Sequence, residues 1–502
     1  MVHNARSASI QPLRVLYVAA ECTPWCSTGG LGEVTQALPQ ALMAAGATVA
    51  VCIPLYRDAR RKIGERGGRL QDTGATASVW MGGHRLTSRW YRVIPAESDA
   101  IASRAPTFAC DCPQLFDRDG LYGHGDDDAR FSTFCRAALS CSAQLLGGKP
   151  HVVHAHDWHT ALLPLYLAGG YRQLLPRTRS VLSIHNLAYQ GLFPANSLPT
   201  IGVGPEWFHA DALEFYGAVN WMKGGIAAAD AITTVSPRYA EEIQTAEFGE
   251  RLEGVLRRHR GKLTGILNGI DMDLWNPATD PLLPYHFSQD DLAGKAATRR
   301  HLLELARMDP DDPHPVFVGV SRLVAQKGFD LVAELIPYLA SRSVRFILLG
   351  RGSDAMEYQF HELERFHWPH FRFHPHHDLT LSHVLYAAGD AVLMPSRWEP
   401  CGLTQLYAMR YGTVPIVRAV GGLRDTVVHA SQHTLGNGTA NGFAFEHDTV
   451  AGLQWAIDRA LDVFYDAPET WRAIQHNGMR RDSAWRGAAE QYLGVYRQIL
   501  GR

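Results

Sequence analysis

No stretch of this 502-residue chain approaches the ~18 uninterrupted apolar residues of a membrane-spanning helix, so no membrane partner is expected. Charge of one sign is lacking as well. Lys and Arg number 48 against 50 Asp and Glu, and a net charge of −2 leaves no electrostatic footprint for nucleic acid. Eight cysteines are too few for a disulfide scaffold in so long a chain. The close pairs Cys22/Cys26 and Cys110/Cys112 have no second pair at zinc-ribbon spacing, so reduced and mostly buried thiols are the expectation. The first twelve residues contain Arg6 but no apolar core for a signal peptide, which points to the cytoplasm. Histidines are plentiful at 24, yet the run His374-Pro375-His376-His377 lacks the spacing of a metal helix, and no metal is expected. A dinucleotide fingerprint is missing too: no GxGxxG follows the first strand-like run, and Gly350-Arg351-Gly352 lacks the third glycine.

What is present is an ordinary globular composition, 46% hydrophobic and 20% charged, in a chain long enough for about two to four domains. The stretch 389–412 organises the rest. Residues 390–394 read as a buried strand, 395–400 as a proline-bounded turn, and Gly402 opens a helical pattern with Leu403, Leu406 and Met409 on one face. Strand, turn and helix in that order form half of a βαβ unit, and ligands gather at the carboxyl ends of such strands. The turn sets a carboxylate, Glu399, within a few residues of the amides of Gly402, Leu403 and Thr404. Those amides suit a phosphate, whereas the carboxylate suits an uncharged group such as a sugar hydroxyl. A solvated loop acid is the plainer reading of Glu399, and the local pattern leaves both open.

The same unit recurs along the chain. Apolar runs at 14–20, 49–53, 152–157, 179–185 and 231–236 read as strands, with helical patterns at 33–45 and 216–229 between some of them. Segments between about 67 and 103 look alternating and β-like, with Gly82-Gly83 as a hairpin candidate. A proline-rich polar stretch at 276–284 and the cluster 309–315 precede a restart of the pattern at 316–320, 345–350, 371–374, 391–394 and 414–417. The fold expected is α/β, with two Rossmann-like parallel-sheet domains facing each other across a cleft. The division expected is a tail at 1–12, a first domain at 13–280 and a second at 281–480, with a last helix within 481–502 crossing back. The hinge is expected near 276–284 and at the entry to the last helix.

The motifs in sequence carry a resemblance. Thr28-Gly29-Gly30-Leu31, His154-Ala155-His156-Asp157-Trp158-His159, the run 183–191, Lys223-Gly224-Gly225-Ile226 and 233–237 come first. Asn268-Gly269-Ile270-Asp271, Ser321-Arg322-Leu323 with Gln326-Lys327-Gly328, the run 395–412 and Gly421-Gly422-Leu423 follow. Any one is weak, but all of them in this order resemble the bacterial and plant-type glycogen (starch) synthases. These are retaining glucosyltransferases of the two-Rossmann, GT-B architecture.

The resemblance implies glucose transfer from ADP-glucose to the non-reducing end of an α-1,4-glucan, glycogen or a maltooligosaccharide, with retention and without a cofactor. Arg322 and Lys327 match the family's diphosphate-binding pair, where preplaced cations would meet charge developing on the leaving group. Glu399 matches the acid that holds the donor sugar, and Cys401, Gly402, Leu403 and Thr404 match the helix start near the phosphates. Cys401 has no evident neighbouring base, so packing suits it better than nucleophilic attack. Asp157 and His185 end strands of the first domain and are expected to face donor or acceptor sugar, with turn caps as the plainer reading. Two positions depart from the family. Ser27 stands where a lysine usually precedes Thr28, Gly29 and Gly30, and His377 falls where an aromatic often stacks on the base. A non-catalytic sugar-nucleotide or glucan-binding protein on the same fold is the rival reading, since fold alone does not give activity.

Overall fold

The computed structural model describes residues 12–81, 83–99 and 104–501. Nearly all of the expected tail, together with Gly82 of the hairpin candidate, lies outside them. The described chain divides into two compact units. The first comprises residues up to 234, 243–266 and 485 onward, and the second comprises 235–242 and 267–484.

The first unit is built on a nine-stranded sheet. Its strands lie side by side in the order Leu263–Gly265, Ala231–Thr234, Arg179–Ile184, Val152–His156, Arg14–Val18, Thr48–Pro54, Thr107–Asp111, His84–Ile94 and Arg69–Met81. The first seven pair parallel, and the last two add antiparallel at one edge. The parallel strands are short apolar runs with both faces covered; all five residues of Val152–His156 are buried. Arg69–Met81 and His84–Ile94 alternate instead, because one face of that hairpin meets solvent. The helix Gly30–Ala44 and the last helix, Trp485–Leu500, pack on one another, and both belong to this unit.

One helix begins later than its apolar spacing suggests. Residues 214–220 form two short antiparallel strands, Glu214–Phe215 and Ala218–Asn220, and the helix is Trp221–Ala228. Tyr216 and Gly217 both sit at positive φ, 51° and 82°, the signature of a two-residue hairpin turn. The side chain of Asn220 then caps the helix by accepting from the Lys223 amide.

The second unit holds a six-stranded, wholly parallel sheet in the order Phe371–His374, Arg345–Leu349, Val316–Val320, Ala391–Met394, Val414–Arg418 and Phe443–Phe445. Phe317, Phe346, Leu348 and Leu393 of the sheet pack with Val332 and Ile336 of the helix Phe329–Ser341 and with Ile457 and Leu461 of Val450–Asp466. Both sheets place their chemistry-bearing residues just past strand carboxyl ends, as open α/β sheets do.

Three fastenings shape the second unit. The helix Pro237–Glu242, which the sequence counts with the first domain, is tied here: Ser236 Oγ donates to the Pro400 carbonyl at 2.7 Å, and the Gly421 amide donates to both oxygens of Glu242 at 3.0 Å. The stretch expected as a hinge is pinned as well. His383 Nδ1 and Tyr411 Oη both meet Asp280 Oδ2 at 2.6 Å, and the Trp275 ring lies stacked against His383 at 4.1 Å and Tyr407 at 3.6 Å. Finally, buried Lys295 reaches from the helix Ala293–Leu305 to the carbonyls of Ala387, Gly389 and Tyr411 and to Thr413 Oγ1, at 2.8–3.1 Å. One ammonium thus caps the carboxyl ends of two helices, Leu379–Ala388 and Thr404–Arg410.

Candidate functional site

In the second unit the strand Ala391–Met394 ends in the loop 395–403, and that loop is shaped by backbone against backbone. Gly328 sits at φ +67°, and a Cβ there would lie 2.1 Å from the Pro395 carbonyl oxygen. Gly421, at φ +44°, would put a Cβ 2.0 Å from the carbonyl oxygen of Glu399. Only glycine satisfies both the left-handed conformation and the approach. Two turns from distant parts of the sequence are thereby pressed against the loop that carries Glu399.

The result is a compact charged group. Lys327, at the end of the 3₁₀ turn Ala325–Lys327, places Nζ 2.5 Å from Glu399 Oε2, and Ser396 Oγ donates to the same oxygen at 2.8 Å. Glu399 is buried and Lys327 half-buried. Gln326 clamps the loop from below, its Nε2 donating to the Trp398 carbonyl at 3.1 Å and its own carbonyl accepting from the Arg397 amide at 2.8 Å. Cys401 is buried, and burial pushes its thiol up to about 12, which keeps it protonated and unfit as a nucleophile. Gly402 takes φ +71°, Leu403 is the residue before the helix, and Thr404 begins it. Gln405 Nε2 holds the carbonyls of Cys401 and Gly402 at 3.0 Å each. The helix runs only seven residues, so the charge available for an anion comes mainly from side chains.

Arg322 follows the strand Val316–Val320 and is exposed. His377 is exposed in the loop after Phe371–His374, beside Asp378, which caps the next helix by accepting from the Leu381 amide. Neither joins the Lys327–Glu399 group by a hydrogen bond or ion pair among the described residues. The histidines 374, 376 and 377 belong to no cluster of three or more His, Cys, Asp or Glu able to hold a metal among the described residues.

In the first unit the polar residues gather at the ends of three neighbouring strands. Asp157 follows Val152–His156 directly and takes φ +55°, a left-handed conformation that a non-glycine residue adopts at a cost of about 1–2 kcal/mol. Its Oδ1 accepts from the backbone amides of His185 at 2.7 Å and Asn186 at 3.4 Å, so it bridges two strand ends. Burial raises its carboxyl to about 7 against those two hydrogen bonds, and burial lowers the His185 imidazole to about 3. Asp157 and His185 are thus in direct contact.

Ser27, Thr28, Gly29 and Gly30 form an exposed loop leading into Gly30–Ala44. Its holder is a residue the sequence reading passed over. Buried Glu21 accepts from the Thr28 amide at 2.7 Å, the Thr28 hydroxyl at 3.0 Å and the Gly29 amide at 3.3 Å, and the Tyr122 hydroxyl donates to it from 101 residues away. The amides of Thr28 and Gly29 are therefore already engaged. A lone acid just past the first strand was the only signal that pointed to Glu21, and nothing local pointed to Tyr122.

Comparison with known proteins agrees with this architecture. Residues 14–258 match the starch synthase catalytic domain, and residues 306–471 match glycosyl transferases group 1. A glycogen synthase of Anaeromyxobacter dehalogenans is 42% identical over 495 residues, covering 97% of this chain and 99% of the relative. One from Yersinia pseudotuberculosis is 40% identical over 498 residues, covering 97% and 100%. Among solved structures, the catalytic domain of starch synthase IV from Arabidopsis thaliana, bound to ADP and acarbose, superposes with a TM-score of 0.89 at 33% identity, covering 98% of this chain and all of that one. A sucrose-phosphate synthase from Thermosynechococcus elongatus shares the fold alone, with a TM-score of 0.56 at 19% identity, covering 97% and 99%.

Proposed function

Since this chain belongs to the starch and glycogen synthase family of glycosyltransferases, we propose that it lengthens an α-1,4-glucan by transferring glucose from ADP-glucose with retention of configuration. The observation that carries the reading is identity of 40% or more with glycogen synthases along nearly the whole chain. The donor is a nucleotide sugar and the acceptor a glucan. ADP as the nucleotide is in keeping with the ADP bound to the Arabidopsis enzyme. Lys327 and Arg322 hold the diphosphate, Glu399 holds hydroxyls of the donor sugar, and Asp157 and His185 meet the sugar near the bond that breaks. No cofactor is called for, because the charge that develops on the leaving diphosphate is met by fixed cations. All eight cysteines are free thiols, which suits a reducing cytoplasm. No helix among the described residues is long and apolar enough to cross a membrane.

Release of nucleotide from ADP-glucose and UDP-glucose, each with and without glycogen, tests this. Glycogen-dependent release of ADP, several-fold faster than release of UDP, is expected. Donor binding without release from either would replace the reading with that of a non-catalytic binding protein.

A further inference from the structure

The strand Val152–His156 carries two of the three imidazoles of the HAHDWH run, His154 and His156, the third being His159 in the following helix, and only one neighbour of Asp157 has been given a task. His156 is fully buried. Its ring is stacked under Tyr17 at 4.0 Å and lies 4.0 Å from the ring of His154, so it has no freedom to flip. Its backbone amide donates to Thr160 Oγ1 at 2.6 Å, and that hydroxyl donates back to the His156 carbonyl at 2.9 Å, which fixes the main chain as well. From this position His156 Nδ1 meets His185 Nε2 at 3.0 Å. His156 Nε2, buried, has no partner among the described residues.

Two neutral imidazoles carry one N–H each, and the contact between them needs one donor and one acceptor. If His185 donated, the His156 proton would sit on Nε2, a buried N–H with nothing to receive it. If His156 donates from Nδ1, the orphan is a bare acceptor nitrogen. Orphaned buried N–H groups are the rarer and less tolerated case. The second arrangement is therefore favoured, and it leaves the His185 proton on Nδ1. Burial holds both rings neutral, as it lowers each imidazole well below its ordinary value.

We propose that His156 is a positioning residue that sets the tautomer of His185, so that His185 meets its ligand as a neutral Nδ1–H donor aimed at an oxygen of the donor sugar. This rests on the glucosyl-transfer reading for the identity of the ligand, though not for the tautomer. A neutral donor suits a sugar hydroxyl or ring oxygen without adding a cation that would compete for the diphosphate. The same fixed hydrogen bond also holds the plane of the His185 ring, on the strand end whose amide is tied to Asp157.

The test separates tautomer from packing. In the wild-type protein with ¹⁵N-labelled histidine, long-range ¹H–¹⁵N spectra assigned with His185→Gln should show His185 protonated on Nδ1. A proton on Nε2 overturns the proposal outright, whatever the enzyme transfers. Asn mimics Nδ1 of histidine and Gln mimics Nε2, so His156→Asn should stay within about threefold of wild-type kcat. His156→Gln and His156→Leu should each lose roughly 10–100-fold in kcat, with donor KM changed less than threefold. Equal losses in all three variants, or a loss that falls on KM alone, also overturn it. If wild type releases no nucleotide, the functional reading fails by itself, and the spectrum still decides the tautomer.

Discussion

The Lys327 ammonium and the Glu399 carboxylate, 2.5 Å apart, each hold a partner before any ligand arrives. On the proposed assignment a diphosphate would draw Lys327 partly from Glu399 and free the carboxylate for sugar hydroxyls. Lys327→Ala and Glu399→Ala should each lower kcat roughly 10²–10³-fold, the usual loss when a group facing developing charge is removed. Because the two act as one pair, the double variant should lose much less than the product of the single losses. Steady-state kinetics of the four proteins checks this, and multiplicative losses would show independent roles. At Ser27 a lysine would add an ammonium beside amides that Glu21 already occupies. Exchanging a neutral hydrogen bond of about 0.5–1.5 kcal/mol for a charged one of about 1.5–3 should lower donor KM roughly five- to tenfold in Ser27→Lys and leave glucan KM alone. Asp157 gives a pH signature. Its carboxyl, at about 7 when folded against about 3.9 unfolded, keeps a proton that the unfolded chain releases. The stability it contributes is full below pH 4 and is lost as pH rises through 7, by roughly 4 kcal/mol at most. Asp157→Asn should flatten that part of the thermal-midpoint profile between pH 4 and 8; an unchanged slope would assign it elsewhere. The sequence made Asp157 and His185 visible as strand-end polar residues. It could not reveal that one accepts from the amide of the other, 28 residues on, or that Glu21 and Tyr122 meet, because contacts between strand ends leave no local pattern.

At the scale of elements, the parallel strands were readable because burial on both faces demands short unbroken apolar runs. The helix expected at 216–229 was misplaced at its start, because Tyr216-Gly217 makes a hairpin turn whose positive φ values no apolar spacing announces. The stretch 276–284 read as a hinge from its prolines and polar residues. The Asp280 carboxylate and the stacked Trp275 ring hold it instead to the second unit, through partners more than 100 residues away. Lys295 is the same lesson in a helix. No motif in the sequence marks it, yet its ammonium closes two helix ends, one of them the helix that starts at Thr404. Lys295→Met keeps the volume and strands three carbonyls. A loss of about 3 kcal/mol, roughly 6–12 °C in the unfolding midpoint of a unit this size, is expected by calorimetry. A midpoint unchanged within 2 °C would mean that water replaces the ammonium at little cost.

At the scale of the molecule, the last helix closes the first unit rather than the second. Tyr492 and Tyr496 are fully buried in it, and Tyr496 Oη meets His154 Nδ1 at 2.8 Å across 342 residues. His154 in turn reaches Ser183 at 2.7 Å, and Ser183 reaches Thr233 at 2.6 Å, a buried polar row beneath the strand ends. A chain stopped after Ala484 keeps every proposed site residue and is nevertheless expected to lose transfer activity, with protease cleavage concentrated within 12–234; protection there equal to wild type would contradict this. The same feature bears on how the protein is made. Translation delivers the segment up to residue 234 first, but the helix that seals it, Trp485–Leu500, comes off the ribosome only after the whole second unit. Unit by unit folding in order of synthesis, the common habit of multidomain chains, is thus closed to this one. The portion born first must wait, with His154 uncovered, until the helix Trp485–Leu500 is released, so a nascent chain is most in need of a holding chaperone over its oldest part.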